Sequence, residues 1–309
     1  MFGPRLSNFL VRLGRVAIIR ATRNLGTSIF LVTMSACLLA THDGIVKTLV
    51  QDVPMLQVIW LRFALQSIVV VSVLKAAGQR NLFKTKHLRL HAGRTAAILT
   101  AGIMMFTALN LMSLATATVI LFLNPVLVAL FSTIFLGEKI GPRRYLAIFL
   151  GFAGVLVVVN PSFNGFETTM FLPLGSAICA AIYVMLTRQL SDPDETLPTL
   201  ILSPVAVALI LTPIQFFIWE PLTATQIIFA VLLASVGTLG QTSLQFGLRG
   251  ASAAVLSPFL YIQVAFAAGL SVIWFQDPFG INLMLGSLMI VGSGIVIWYL
   301  RNRQDIEIR

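Results

Sequence analysis

LNLMSLATATVILFLNPVLVALFSTIFLGEKIGPRRYLAIFLGFAGVLV, residues 109–157, and LRGASAAVLSPFLYIQVAFAAGLSVIWFQDPFGINLMLGSLMIVGSGIV, residues 248–296, align without a gap at an offset of 139. Ten of the 49 positions are identical: Leu109, Ser113, Ala115, Leu121, Ala129, Ser132, Ile134, Gly141, Leu146 and Val157. Apolar composition alone supplies several of these matches. The same offset also pairs unlike landmarks, Pro54 with Pro193 and Glu138 with Asp277. Common ancestry is the economical explanation, and the register extends outward to lay residues 27–160 on residues 166–300.

Runs of about 20 apolar residues, long enough to cross ~30 Å of hydrocarbon, fall near 27–50, 54–75, 94–114, 115–136, 142–160, 167–189, 197–219, 223–247, 250–275 and 279–300. Five lie in each copy. A unit that crosses the bilayer five times leaves its successor starting from the opposite side, so the two copies are expected to be inverted. The composition agrees, with 58% apolar residues, only 10% charged ones and a mean hydropathy of +0.94, far from a soluble domain. The expected fold is an all-α membrane protein of ten transmembrane helices, arranged as two inverted five-helix repeats. Inverted repeats of this kind are a mark of alternating-access carriers.

The net charge of +10 could suggest a nucleic-acid partner, but the positions of the charges argue against one. On a ten-span reading, nineteen of the 21 Lys and Arg fall on one side, in the arm 1–26, the connections and the tail 301–309. The opposite side holds Asp52, Glu167, Glu220 and Asp277 and no basic residue. The positive-inside rule then expects a multi-pass protein of the cytoplasmic membrane with both termini cytoplasmic. The arm 1–26 has five arginines but no long apolar core, so it reads as a basic arm and not as a cleaved leader. It either fixes topology as a solvated tail or lies as a helix on anionic lipid.

Cys37 and Cys179 both sit inside spans and offer neither a disulfide framework nor a zinc spacing. The sequence holds no G-x-x-x-x-G-K-[ST], no H-E-x-x-H and no nucleophile elbow. No catalytic residue, cofactor or metal site is therefore expected, and neither an enzyme nor an ATP-driven pump.

The stretch ATATVILFLNPVLVALFSTIFLGEKIGPRRYLAIFLGFAGVLVVVNP, residues 115–161, with Pro125, the Gly137-Glu138 pair, Gly151 and Gly154, resembles the EamA unit of the drug/metabolite transporter superfamily. The second copy keeps Asp277, Gly286, Gly292 and Gly294, but has Gln276-Asp277 for Gly-Glu and Val264 where Pro125 would repeat. The resemblance covers nearly everything after residue 26. It implies ten helices around a central cavity and a secondary or facilitative carrier, without naming the cargo.

The strongest local feature is THDGIVK, residues 41–47, taken with Arg62 in the second span. An ionisable group in hydrocarbon costs about 2.5–3.5 kcal/mol on insertion scales, so such groups tend to be paired or functional. Asp43 and Arg62 fall at similar depth on neighbouring spans and could meet. Lys47 follows Asp43 at i, i+4 and lies near enough to the surface to snorkel. Two readings stand side by side. In one, Asp43 and Arg62 neutralise each other and pin spans one and two. In the other, they line a cavity where Arg62 grips a substrate carboxylate or phosphate and Asp43 or His42 takes up a proton.

Gln66, Thr107, Asn110, Asn124, Tyr183, Gln241, Gln245, Tyr261 and Gln263 also lie inside spans, as interhelical bonds or as cavity lining. The resemblance places the spans of Tyr183, Gln241, Tyr261 and Gln263 around the centre, which makes these four the substrate-binding candidates beside His42, Asp43 and Arg62. Pro125 and Pro258 interrupt spans four and nine and are hinge candidates, or simple packing irregularities. Trp60, Trp219, Trp274 and Trp298 lie near span ends as interfacial anchors. Glu138 beside Lys139, Arg143 and Arg144 suggests a surface ion network. At the offset of 139, Asp43, Lys47 and Arg62 face Ile182, Leu186 and Ile201, so the charge within the membrane belongs to the first copy.

The expected function is transport of a small polar metabolite, an amino acid or related organic anion, with the lipid bilayer and a proton as further partners. A non-transporting membrane scaffold or sensor on the same fold is the alternative.

Overall fold

A computed structural model describes residues 25–76, 78–79, 82–136, 142–159, 168–190, 195–250, 256, 259–278 and 280–307. Among them the chain is helical, with no strand and eleven α-helices. The first repeat gives α1 (Leu25–Leu49), α2 (Met55–Ala76), α3 (Leu88–Leu111), α4 (Leu114–Leu121), α5 (Asn124–Leu136) and α6 (Pro142–Val159). The second gives α7 (Phe171–Gln189), α8 (Thr196–Ile218), α9 (Ala224–Gly250), α10 (Ile262–Phe275) and α11 (Ile281–Glu307). Among the described residues, six segments are long and apolar enough to cross a membrane: Leu25–Leu49, Met55–Ala76, Leu88–Leu111, Thr168–Thr187, Leu197–Ile218 and Ala224–Gly247. Shorter apolar helical stretches cover Leu114–Val128, with its turn at Phe122–Leu123, and Phe149–Val158, Ile262–Phe275 and Ile281–Ser293.

The main helix contacts are preserved when the repeats are exchanged. The pair α1–α9 has its counterpart in α7–α3, and α9–α2 in α3–α8. The contact of α1 with α10 has its counterpart in that of α7 with α4 and α5, while α2–α8, α6–α11 and α4–α10 map onto themselves. Helix direction follows from side chains near the helix ends. Lys47 at the C-terminal end of α1 donates to the carbonyl of Met112, just past the C-terminus of α3, so α1 and α3 run the same way. Tyr183 and Thr187, near the C-terminus of α7, receive Arg94 from the N-terminal part of α3, so α7 runs against both. The equivalent helices α1 and α7 are thus inverted.

Two details correct the span assignment. The third helix begins at Leu88 instead of near residue 94, which moves Arg94 from a loop into the helix, where it is only 1% exposed. The fourth span is not one helix, because a turn at Phe122–Leu123 separates α4 from α5. Ser113 caps α4 by accepting from the Thr116 N–H at 3.1 Å, satisfying one of the free donors of its first turn. Pro125 is the second residue of α5, where a missing N–H disturbs no helical bond, so the break precedes the proline.

The α6–α11 contact depends on glycine. A Cβ on Gly154 would lie 3.0 Å from the Gly286 carbonyl oxygen, and one on Gly286 would lie 2.6 Å from that of Gly154. Only a residue without a side chain lets these backbones approach so closely. Two clusters of buried apolar side chains fill the rest. One centres on Ile59, Phe106, Leu109 and Leu233, the other on Ile120, Leu123, Val126 and Ile290.

Candidate functional site

His42 and Asp43 occupy the inward face of α1 and are buried, at 3% and 8% exposure. His42 Nδ1 lies 2.9 Å from Asp43 Oδ1, and Gln263 of α10 donates from Nε2 to Asp43 Oδ2 at 3.5 Å. The His42 ring fits against α9, since a Cβ at Gly237 would come within 2.8 Å of its Cδ2. Its Nε2 is buried without a hydrogen-bond partner among the described residues. Phe106 of α3 neighbours both His42 and Arg62: its ring is 6.3 Å from that of His42, and the Arg62 guanidinium stands 5.9 Å from its centroid.

Arg62 does not ion-pair with Asp43, contrary to the pinning reading. Its guanidinium lies over the Phe63 ring at 4.9 Å, and its Nε is buried with no hydrogen-bond partner among the described residues. The physical reason is local: the neighbouring imidazole and Gln263 already occupy both oxygens of Asp43. Arg62 remains within the electrostatic reach of Asp43, Tyr183 and His42. A cation held among aromatic rings near a carboxylate, but not neutralised by it, can accept a further anion.

The other candidates divide. Gln263 belongs with Asp43, whereas Gln241 accepts from Gln66 Nε2 at 3.2 Å and ties α9 to α2. Tyr261 is buried at the start of α10, with its ring 5.6 Å from Phe122. Tyr183 accepts from Arg94 Nη2 at 2.8 Å. Pro258 lies outside the described residues, as do Glu138 and Lys139 and the side chains of Arg143 and Arg144. Trp60 donates to Thr212 at 3.0 Å and packs edge-on against Trp219, a contact between α2 and the end of α8 that exceeds simple anchoring.

Lys47 does not snorkel. Its Nζ donates to Asp277 Oδ2 and to the Met112 carbonyl, each at 3.0 Å, and stands 4.9 Å from the Phe275 centroid. Asp277 also accepts from Ser271 Oγ at 2.6 Å, and that hydroxyl accepts from the Ala115 N–H at 3.2 Å. At the same end Gln57 exchanges two hydrogen bonds with the backbone of Glu220.

A second cluster at the opposite end escaped the sequence reading. Glu195, 2% exposed just before α8, accepts from His91 Nε2 at 2.9 Å, Thr85 Oγ1 at 2.7 Å and the Lys86 N–H at 3.0 Å. Burial alone would raise its pKa, but the bonds from His91, Lys86 and Thr85 together with the charge of His91 hold it down at about 2. Arg94 continues the chain to Tyr183, to Thr187 Oγ1 at 2.9 Å and to the Thr199 carbonyl at 3.2 Å. The signal was present: His91, Arg94 and Thr95 sit at i, i+3 and i+4 and share one helix face.

Among known proteins, the model of the EamA-like transporter family matches residues 26–160 and 168–299. The chain is 24% identical over 270 residues to the pseudopaline exporter CntI of Pseudomonas aeruginosa (strain UCBPP-PA14), covering 86% of this chain and 94% of that protein. It is 23% identical over 279 residues to the S-adenosylmethionine uptake transporter of Rickettsia bellii, covering 90% and 94%. It is 25% identical over 264 residues to the riboflavin transporter of Brucella anthropi, covering 82% and 89%. A solved crystal structure superposes with a TM-score of 0.63 at 20% identity, over 90% of this chain and 98% of the other, which is a likeness of fold.

Proposed function

This chain belongs to the EamA-like transporter family, and on that premise we propose that it moves a small polar metabolite, an amino acid or related organic anion, across the cytoplasmic membrane by alternating access. In this reading ten spans in two inverted repeats surround a central cavity, with both termini cytoplasmic. The bias of basic residues toward one side supports that orientation. The relatives are named for three different cargoes and for both export and uptake, so membership supports carriage of small molecules without choosing among them.

The observation that carries the cargo class is Arg62, with its buried, unpartnered Nε and no ion pair among the described residues. A substrate carboxylate would supply the missing acceptor. The buried His42 Nε2, without a hydrogen-bond partner among the described residues, stands ready for a donor group of the same molecule, which suits a zwitterion. Asp43 or His42 would take up the coupling proton, since ionisable groups this deep in a membrane commonly serve proton relays. Tyr183, Gln241 and Tyr261 complete the wall in this reading.

A thermal-shift screen of the purified protein against amino acids and organic anions tests it, because a ligand that binds the folded state raises the melting temperature by mass action. We expect stabilisation by at least one carboxylate-bearing ligand, reduced in Arg62→Gln. Stabilisation only by cations or neutral compounds would overturn the assignment. In reconstituted vesicles, Asp43→Asn should abolish any response of flux to an imposed pH gradient.

A further inference from the structure

The two ends of the molecule are each closed by polar contacts that join one repeat to the other. At one end these are Lys47 to Asp277, Gln57 to Glu220, and the Ala115 N–H to Ser271. At the other, Glu195 holds Thr85, the Lys86 N–H and His91, while Arg94 holds Thr187, Thr199 and Tyr183. In the second set every partner on α3 and the connection before it belongs to the first repeat, and every partner on α7 and α8 to the second. A rigid movement of one repeat against the other cannot occur without breaking one set.

The sets differ in reach. The Lys47 cluster runs through Asp277 to Ser271 and stops at the Ala115 N–H. The Glu195 cluster instead runs inward through His91 and Arg94 to the Tyr183 hydroxyl, and Tyr183 lies within the field of Arg62. Arg94 is only 1% exposed, and His91, bonded to Glu195 at 2.9 Å, approaches its Nη1 at 3.5 Å. Releasing Glu195 therefore frees His91 Nε2 and unpins the ring whose Nδ1 faces Arg94, and with it loosens the contact that orients the Tyr183 phenol.

Resting on the carrier reading above, we propose that the Glu195–His91–Arg94–Tyr183 chain is the closing latch of the end bearing the basic loops, and that its release opens the Arg62 site to that side. Glu195 is the keeper of the latch, and Arg94 is a positioning residue that acts through Tyr183.

The test is thiol accessibility in full-length protein reconstituted in vesicles, with Cys37 and Cys179 replaced by serine. One reporter is Ser203→Cys, since Ser203 is buried between α3 and α8 with its hydroxyl 3.4 Å from that of Thr95. The other is Val53→Cys, since Val53 is buried at the opposite end. A membrane-impermeant maleimide is applied from each side, with and without Glu195→Gln. We expect Glu195→Gln to raise the labelling rate at position 203 at least tenfold and to lower that at position 53. Increases at both positions would mean general loosening and would overturn the proposal, as would no change at position 203. The measurement uses no cargo, so it can succeed where the Arg62 assignment fails, and fail where that assignment holds.

Discussion

Phe122 and Tyr261 occupy equivalent positions of the two repeats, 139 residues apart, and their rings meet with centroids 5.6 Å apart and planes tilted by 51°. Each marks the break in its span: Phe122 follows α4, and Tyr261 precedes α10. The pseudo-twofold relation therefore passes close to two interrupted helices, where backbone geometry can change most cheaply. Such an aromatic pair adds about 0.5–1.5 kcal/mol beyond its buried area.

If that break is a hinge, Pro125 limits how far α4 and α5 can fuse. Pro125→Ala restores an N–H one turn after Leu121 and favours a continuous helix. We expect a melting temperature equal to or above wild type, with flux lowered severalfold. Wild-type flux in a stabilised variant would remove the hinge role from Pro125.

The α6–α11 seam should tolerate no side chain. Gly154→Ala and Gly286→Ala each place a methyl against a backbone carbonyl of the facing helix, so we expect losses of about 1–3 kcal/mol from overpacking. Gly269→Ala and Gly292→Ala meet nothing within 4 Å. They should be neutral or stabilising by up to about 1 kcal/mol through helix propensity. Thermal unfolding in detergent compares the four.

The Lys47–Asp277 pair is partly buried, with side chains 8% and 19% exposed. Removing one member leaves the other uncompensated. Lys47→Met should cost about 3 kcal/mol, and the double variant Lys47→Met with Asp277→Leu should recover part of that loss. A double-mutant cycle with no recovery would show that the two residues act independently.

The carboxyl of Glu195 gives a pH dependence of definite sign. Because the folded protein holds it at about 2, below its ordinary 4.5, its contribution to stability is fully present above about pH 4.5 and is lost as pH falls toward 2. Melting temperatures measured across that window should fall more steeply in wild type than in Glu195→Gln. Parallel curves would indicate that the hydrogen bonds to Glu195 carry no ionic contribution.

The doubled unit and its apolar runs were legible because hydropathy and an offset of 139 are properties of the linear chain. What could not be read were the partners of the buried charges, since pairing crosses between repeats. Lys47 and Asp277 are 230 residues apart, and His91 and Glu195 are 104 apart. Neither pair is repeated as a pair at the offset, because Lys47 faces Leu186 and His91 faces Ala230. Similar depth on neighbouring spans pointed to Asp43 and Arg62 as partners. The imidazole next in sequence took the carboxylate instead. Tyr183, singled out as cavity lining, proved to be where the Arg94 chain ends. The break at Phe122 was read one turn late, at Pro125, because proline is visible in sequence and a turn held by Leu123 is not.

The role proposed for Arg62 is to receive the anionic group of the cargo. The most direct measurement is initial flux of a stabilising ligand into vesicles holding matched amounts of wild type, Arg62→Lys and Arg62→Gln. Charge-assisted hydrogen bonds contribute about 1.5–3 kcal/mol, so we expect Arg62→Gln to lose about tenfold to a hundredfold in flux at subsaturating ligand, with partial retention by Arg62→Lys. Equal flux in all three, with the protein folded and inserted, would contradict the assignment and return Arg62 to a packing role between Phe63 and Phe106.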